Sequence, residues 1–401
     1  MFLNSIIKLW RDCSTKTFHC HHRQILKIFL LFSLAFLLYS LFLWKRNRIH
    51  TKRTFGNIDV QAVAVPESFK QPGIYHFNKI VVKPDITNDK LLFLVLISSS
   101  AGSQKNRDRR EAIRKTWGNC NNNQLEEALK NQSLAHSVAK GSEFVKDYYK
   151  CKVFFFVGET GNKTEDARMK KEATVYKDLI IVGVKENYRN ITWKLRSAMQ
   201  FTSHFDMKYL IKSDDDVYIN LPRLAEYIAT GPGFSTPIYG GTTYTGKVVR
   251  DPLHRHYVHK FDYEERYYPL YCKGSMIVLS GSLLSSVVGA FAHLKPFNID
   301  DAYLGITLNK LGVSPFKLEK IVQFQHLPVF LDYLHLCDFS WLVGVGDGLD
   351  ATRIHSVHRA MTLGDSLPVW MCLHLNLYPL ICLLLVVFFA VAVFKARNLL
   401  C

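Results

Sequence analysis

The sequence predicts an α/β fold, and three observations predict it. Continuous apolar runs recur at 91–97 (LLFLVLI), 153–158 (VFFFVG) and 179–183 (LIIVG). Such runs suit strands of a parallel sheet, buried on both faces. Polar, helix-compatible stretches separate them, as βα units require. An acidic cluster, Asp214-Asp215-Asp216, follows a short apolar strand at 209–211. Ligands of open α/β sheets bind at that end of the strands.

Taken in order, residues 28–44 form an uncharged apolar run of bilayer length. Basic residues flank both sides and no small-residue cleavage site follows, so it reads as an uncleaved signal anchor behind a cytosolic tail, 1–27. Residues 45–88, with Pro66, Pro72, Gly73 and Pro84, read as a stem, and Ile80–Val82 as a short strand in it. A luminal domain is expected over 89–365. In it, Arg107 to Trp117, Thr164 to Tyr176 and Trp193 to Phe205 read as helices. Leu221-Pro222 starts another. Ile238 to Gly241 reads as a strand. Tyr267 to Cys272 reads as an aromatic loop, Gly274 as a tight turn and MIVLS (276–280) as a buried strand. Ser282 is expected to cap a helix running to Ala292, and Asp300-Asp301 to open a further one. Residues 377–394 are a second uncharged apolar run, read as a second span with a buried terminal helix as the alternative.

The chain has 401 residues, 48% hydrophobic and 21% charged, enough for a large core. The net charge of +17 invites a nucleic-acid partner, but its distribution argues against one. Ten Lys/Arg stand against one Asp in residues 1–53, beside the first apolar run. That is membrane-flanking charge. Nine cysteines show neither CxxC nor zinc spacing, and those between 120 and 372 suit disulfides in an oxidising lumen without revealing their pairing. Glycosylation triplets at Asn131, Asn162 and Asn190 also favour a luminal middle.

Three adjacent carboxylates repel one another and call for a cation. A divalent ion with oxygen ligands is the natural partner, and phosphates its companion. Lys212 is close enough to neutralise the cluster or reach a phosphate. Arg109, Arg110 and Arg114 fall near the first strand's carboxyl end, where the planar guanidinium suits phosphate and base edges. Trp117 reads as a packing residue. The adjacent pair Asp300-Asp301 exceeds what one helix cap needs.

Four segments in order, RREAIRKTWG (109–118), KSDDDVYIN (212–220), YPLYCKGSMIVLS (268–280) and IDDAYLGITLNKLGV (299–313), resemble the β1,3-glycosyltransferase family of Golgi membrane enzymes. The resemblance covers roughly residues 90–330. It implies a GT-A fold, a UDP-sugar donor, Mn2+, inversion at the anomeric carbon, and an acceptor sugar on protein or lipid. It implies that the triplet is the family's DxD, with Asp216 and Asp214 at the metal, Asp214 also at the ribose side, and Asp215 in the nucleotide site as the middle residue, which usually turns away. His358 is the further metal ligand it suggests, with His355 second. By the same match Asp301 is the base and Asp300 its orienting partner, while Tyr271, Gly274 and Ser275 shape the sugar pocket. The Tyr271-Cys272 pair looks like the galactosyl branch, so UDP-galactose is the expected donor. UDP-N-acetylglucosamine is the alternative, and a non-catalytic, chaperone-like member the third reading. Lys273 and Met276 depart from the family's small or aromatic residues around the glycine, and the C-terminal apolar run is unusual for it.

Overall fold

A computed structural model describes residues 74–120, 125–126, 148–230, 237–318, 321–323, 336–339 and 342–366, all within one unit, Phe55–Ser366. Its centre is a mixed eight-stranded sheet. The first strands are β1 (Ile80–Val82), β2 (Leu91–Ser98), β3 (Lys150–Glu159), β4 (Leu179–Lys185) and β5 (Met207–Asp214). β7 (Tyr239–Tyr244), β8 (Tyr271–Ser280) and β9 (Phe316–Lys317) complete it. The order is β1-β4-β3-β2-β5-β8-β7-β9. β4, β3, β2 and β5 run parallel, whereas β1 and β8 pair antiparallel. All eight residues of β2 are buried, as its continuous apolar run requires.

Helices cover both faces. On one lie α3 (Ile191–Thr202), α5 (Gly281–Phe291) and α6 (Asp300–Lys310), sharing a core with Leu96, Leu210 and Ile277. On the other, α1 (Gln104–Lys115), α2 (Lys163–Tyr176), α4 (Leu221–Thr230) and α8 (Ala351–Ser366) pack around Val95, Ile211 and Val278. A short helix, α7 (Leu336–Phe339), precedes a three-stranded sheet in which β11 (Gly344–Gly346) lies between β10 (Ile321–Gln323) and β6 (Tyr218–Ile219). Cys120 and Cys151 form a disulfide, Cα atoms 5.6 Å apart, joining the end of the α1 segment to β3. Cys272 is free and buried.

The order in which strands are added reverses at β2. The chain moves outward from β2 through β3 to β4, then returns to place β5 on the other side of β2. That topological switch opens a crevice at the carboxyl ends of β2 and β5. Ser98 and Asp214 are register partners at its floor.

Four expectations change. Residues from Tyr75 belong to the domain and not to a stem. Tyr75 and Asn78 donate to Ala292 O and Ser197 Oγ, and β1 joins the sheet. Tyr271 and Cys272 lie in β8 and not in a loop, and Gly274 is also inside that strand. The α5 helix is preceded by Ser280, not Ser282, and the Ser280 hydroxyl accepts from the Ile238 N–H instead of capping. Asp300 and Asp301 stand in the first turn of α6, with Ile299 at the cap position. The apolar runs 28–44 and 377–394 lie outside the described residues, and no helix among the described residues is long and apolar enough to cross a membrane.

Candidate active site

The end of β5 divides the acidic triplet: Asp214 closes the strand, and Asp215 and Asp216 lie in the turn after it. Lys212 and Asp214 project to the face of Leu210, toward α6, because side chains two apart share a face. Lys212 is buried, and its ammonium donates to Asp214 Oδ1 at 2.9 Å and to Gly274 O at 3.0 Å. Asp300 Oδ2 lies 3.0 Å from the same nitrogen as an ion pair without hydrogen-bond geometry, so that oxygen keeps an unused lone pair. Asp301 Oδ2 accepts from the Gly274 N–H at 3.0 Å, and its Oδ1 from the Ala302 N–H at 2.8 Å. The second, third and fourth of the four segments thus meet at Gly274.

The bend that permits this is a bulge. Gly241 pairs with Ile277 but Thr243 with Cys272, so residues 273–276 of β8 detour past a single residue of β7. A Cβ on Gly274 would stand 2.7 Å from Lys212 Nζ, 3.5 Å from Asp301 Cβ and 3.6 Å from Asp214 Oδ2. The position is reserved for a residue without a side chain.

Charge is closely balanced here. Burial pushes the Lys212 ammonium down, but Asp214, Asp300 and Asp301 outweigh it and hold it charged. Burial raises the Asp301 carboxyl and the neighbouring Asp300 raises it further, against Lys212 and two backbone N–H donors. Burial also raises Asp216, with Arg109 opposing.

The other residues expected at the nucleotide go elsewhere. Asp215 turns to α1, accepting from Ser99 Oγ at 2.6 Å, Asn106 Nδ2 at 2.7 Å and Arg109 at 3.2 Å. It is a buried tie between β5 and α1 and not a nucleotide ligand. Arg110 is fully buried, forked onto Glu172 at 2.8 Å through two nitrogens. Arg114 grips Asp178 at 2.7 and 2.9 Å and Glu172 at 2.8 Å. Their donors are spent on the body of the fold, which corrects their assignment to the nucleotide. Arg109 stays at the cleft, 3.7 Å from Asp216 Oδ2. Trp117 is buried, edge-on to Tyr218.

A galactosyltransferase family model matches residues 108–319. The chain belongs to the galactosyltransferase family. Beta-1,3-galactosyltransferase 1 of Mus musculus is 25% identical over 269 residues, covering 66% of this chain and 72% of that protein. A lactosylceramide 1,3-N-acetyl-beta-D-glucosaminyltransferase of Xenopus tropicalis is 28% identical over 236 residues, covering 57% of this chain and 56% of its own length. Both point to the β1,3-glycosyltransferases. Among solved structures, a mannosyltransferase from Pyrobaculum calidifontis in complex with GDP-Man and Mn2+ aligns over 80% of this chain and 84% of its own. Its TM-score is 0.27 and its identity 14%, too distant to carry an assignment.

The carboxylates of the crevice suit a hard divalent ion. Asp214 and Asp216 side chains are 37% and 25% exposed to the cleft, each with oxygens beyond its single cation contact. His358 Nδ1 lies 2.8 Å from the Tyr218 hydroxyl, which orients the ring. His355 is exposed on the same helix. No group of three or more His, Cys, Asp or Glu is gathered for a metal among the described residues. Asn162 is exposed and caps α2, its Oδ1 accepting from Thr164 N and Glu165 N. Asn190 Nδ2 donates to Lys185 O at 2.9 Å, and Asn131 lies outside the described residues.

Sequence reasoning missed a brace beneath the crevice. Glu186 accepts from Gly158 N at 2.7 Å, Ala101 N at 3.1 Å and Lys194, which also reaches Ser99 O. It also missed Tyr188, whose ring stacks on His256 and lies under the Arg255 guanidinium, 4.4 Å from its centroid. The signal available was an Arg-Tyr-His set of exposed polar aromatics, which sequence spacing cannot bring together.

Proposed function

We propose that this chain is an inverting, metal-dependent β1,3-glycosyltransferase of GT-A type that moves galactose from UDP-galactose to a sugar on a glycoprotein or glycolipid. The observation that carries the reading is the meeting of Lys212, Asp214 and Asp301 at Gly274, at the crevice where α/β sheets hold nucleotides. Asp301 takes the proton of the acceptor hydroxyl as that oxygen bonds to the anomeric carbon. The anomeric bond to UDP breaks with its electron pair going to the diphosphate. Its raised carboxyl suits a base working near neutral pH. Asp300 and Lys212 orient it. Asp214, Asp216 and His358 would hold Mn2+, and a metal so bound offsets the charge growing on the leaving diphosphate. Arg109 remains beside it.

The N-acetylglucosaminyl alternative is supported by the Xenopus tropicalis relative, so both donors belong in the test. Signal anchor 28–44 and second span 377–394 would seat the enzyme in the Golgi membrane, with Asn131, Asn162 and Asn190 in the lumen. The Cys120–Cys151 disulfide supports an oxidising compartment. The test is transfer by the full chain in detergent from UDP-galactose and UDP-N-acetylglucosamine to β-linked acceptors, with and without Mn2+. Metal-dependent transfer is the expected result. A folded protein that binds no UDP would sink the reading in favour of a non-catalytic member.

A further inference from the structure

Almost every basic side chain of the crevice is matched with a carboxylate. Arg109 meets Asp215 and Asp216, Lys194 meets Glu186 and Lys212 meets Asp214 and Asp300. Two cations at the rim are different. Arg255 is exposed and Lys273 half-buried, and each has an aromatic ring and no carboxylate partner among the described residues.

Both are tied to the chain around Asp301. Lys273 precedes the Gly274 N–H that Asp301 accepts, on the bulge of β8, and its ammonium lies over Tyr244 at 5.1 Å. Tyr244 is edge-on to Tyr271, which packs against Gly305 of α6. Arg255 lies over Tyr188, 4.4 Å from the ring centroid. Its carbonyl accepts from Asn298, which shortly precedes the pair. These contacts hold the two heads in place, unlike freely solvated lysines and arginines.

An anion approaching Asp301 meets four carboxylates, Asp214, Asp216, Asp300 and Asp301, against the charges of Lys212 and Arg109. An uncharged acceptor would need no further cation there. We propose that the acceptor is an anionic glycan, its sulfate, carboxylate or phosphate gripped by Arg255 and Lys273 while its hydroxyl faces Asp301. This rests on the reading of Asp301 as base. Arg supplies a planar fork for an oxyanion and Lys a point charge.

The test is direct binding, which needs no turnover. The full chain in detergent, with UDP and Mn2+, is titrated with a neutral β-galactoside and with the same sugar sulfated, glucuronic-acid-capped or phosphorylated. At least one anionic form should bind about tenfold tighter, the size of one charge-assisted contact. That gain should vanish in Arg255→Gln and Lys273→Gln and return in Lys273→Arg. Which form wins identifies the oxyanion. Equal binding of neutral and anionic forms, or none of either, overturns the proposal and leaves the transferase reading standing if UDP binds. Loss of UDP affinity in the two Gln variants also overturns it, by assigning these cations to the donor. A wild type that binds no UDP removes the transferase reading itself, and this one with it.

Discussion

Gly274 donates its N–H to Asp301 Oδ2 over 3.0 Å, and the space where its side chain would be is filled by Lys212 Nζ at 2.7 Å. The ammonium cannot retreat cheaply, because it is buried among Asp214, Asp300 and Gly274 O. Gly274→Ala should therefore displace Lys212 or open the bulge, and with it the Asp301 contact. Transfer should fall on the order of 10²-fold, as a misplacement near 1 Å does, with little loss of helical signal. Steady-state kinetics beside circular dichroism checks this. Unchanged kcat would show the glycine to be ordinary.

Removing the proton acceptor separates chemistry from binding. Asp301→Asn should lower kcat by about 10²–10⁴-fold while UDP affinity stays near wild type. The pH profile carries a second expectation. Asp301 is raised by burial and then by Asp300, so the acid limb of kcat/KM should lie above the ordinary carboxylate range, activity being lost as pH falls through it. Asp300→Asn removes one raising charge and should move that limb to lower pH. A limb that does not move would exclude Asp301 as the titrating group.

The Arg110–Glu172–Arg114–Asp178 network makes a prediction about stability alone. Glu172→Ala leaves two buried guanidiniums short of a partner and should cost roughly 3–5 kcal/mol. Burial raises the Glu172 carboxyl, but its bonds to Arg110 and Arg114 outweigh that and hold it below its usual range. A lowered folded value stabilises above the unfolded pKa of about 4.3 and is lost as pH falls through the folded one. The wild type should thus lose stability below about pH 4.3, and Glu172→Gln should show a flatter decline there. Thermal melts across pH 3–6 read both, and UDP affinity at pH 7 should not change with the loss of Arg110 or Arg114 contacts.

The contrast between what the chain revealed and what it hid has physical causes. The strands at 91–97, 153–158 and 179–183 were legible because burial on both faces demands unbroken apolar runs. The acidic triplet and Asp300-Asp301 were legible because clustered carboxylates need an explanation. Arg109 could not be told from Arg110, since neighbours on a helix point about 100° apart and the helix rotation is set by packing. Glu172 and Asp178, which claim Arg110 and Arg114, lie 62 and 64 residues away. Gly274 read as a turn because nothing in the sequence says that Lys212 needs its missing Cβ.

The triplet itself offers the sharpest dissection. Asp215 and Asp216 are adjacent, yet Asp215 is held by Ser99, Asn106 and Arg109 under α1, while Asp216 has a 3.7 Å contact with Arg109 and a backbone N–H from Gly348, and stays partly open to the cleft. Asp215→Asn should weaken the fold by roughly 1–3 kcal/mol, the cost of unsettling a buried hydrogen-bonded charge, and leave the Mn2+ requirement for UDP binding in place. Asp216→Asn weakens a long ion pair and one backbone N–H bond, so it should destabilise less than Asp215→Asn, and it should lose the Mn2+-dependent part of UDP affinity. Calorimetric UDP titrations with and without Mn2+, beside thermal melts, resolve the two. If both variants behaved alike, the turn after β5 would not be what divides this cluster between structure and metal.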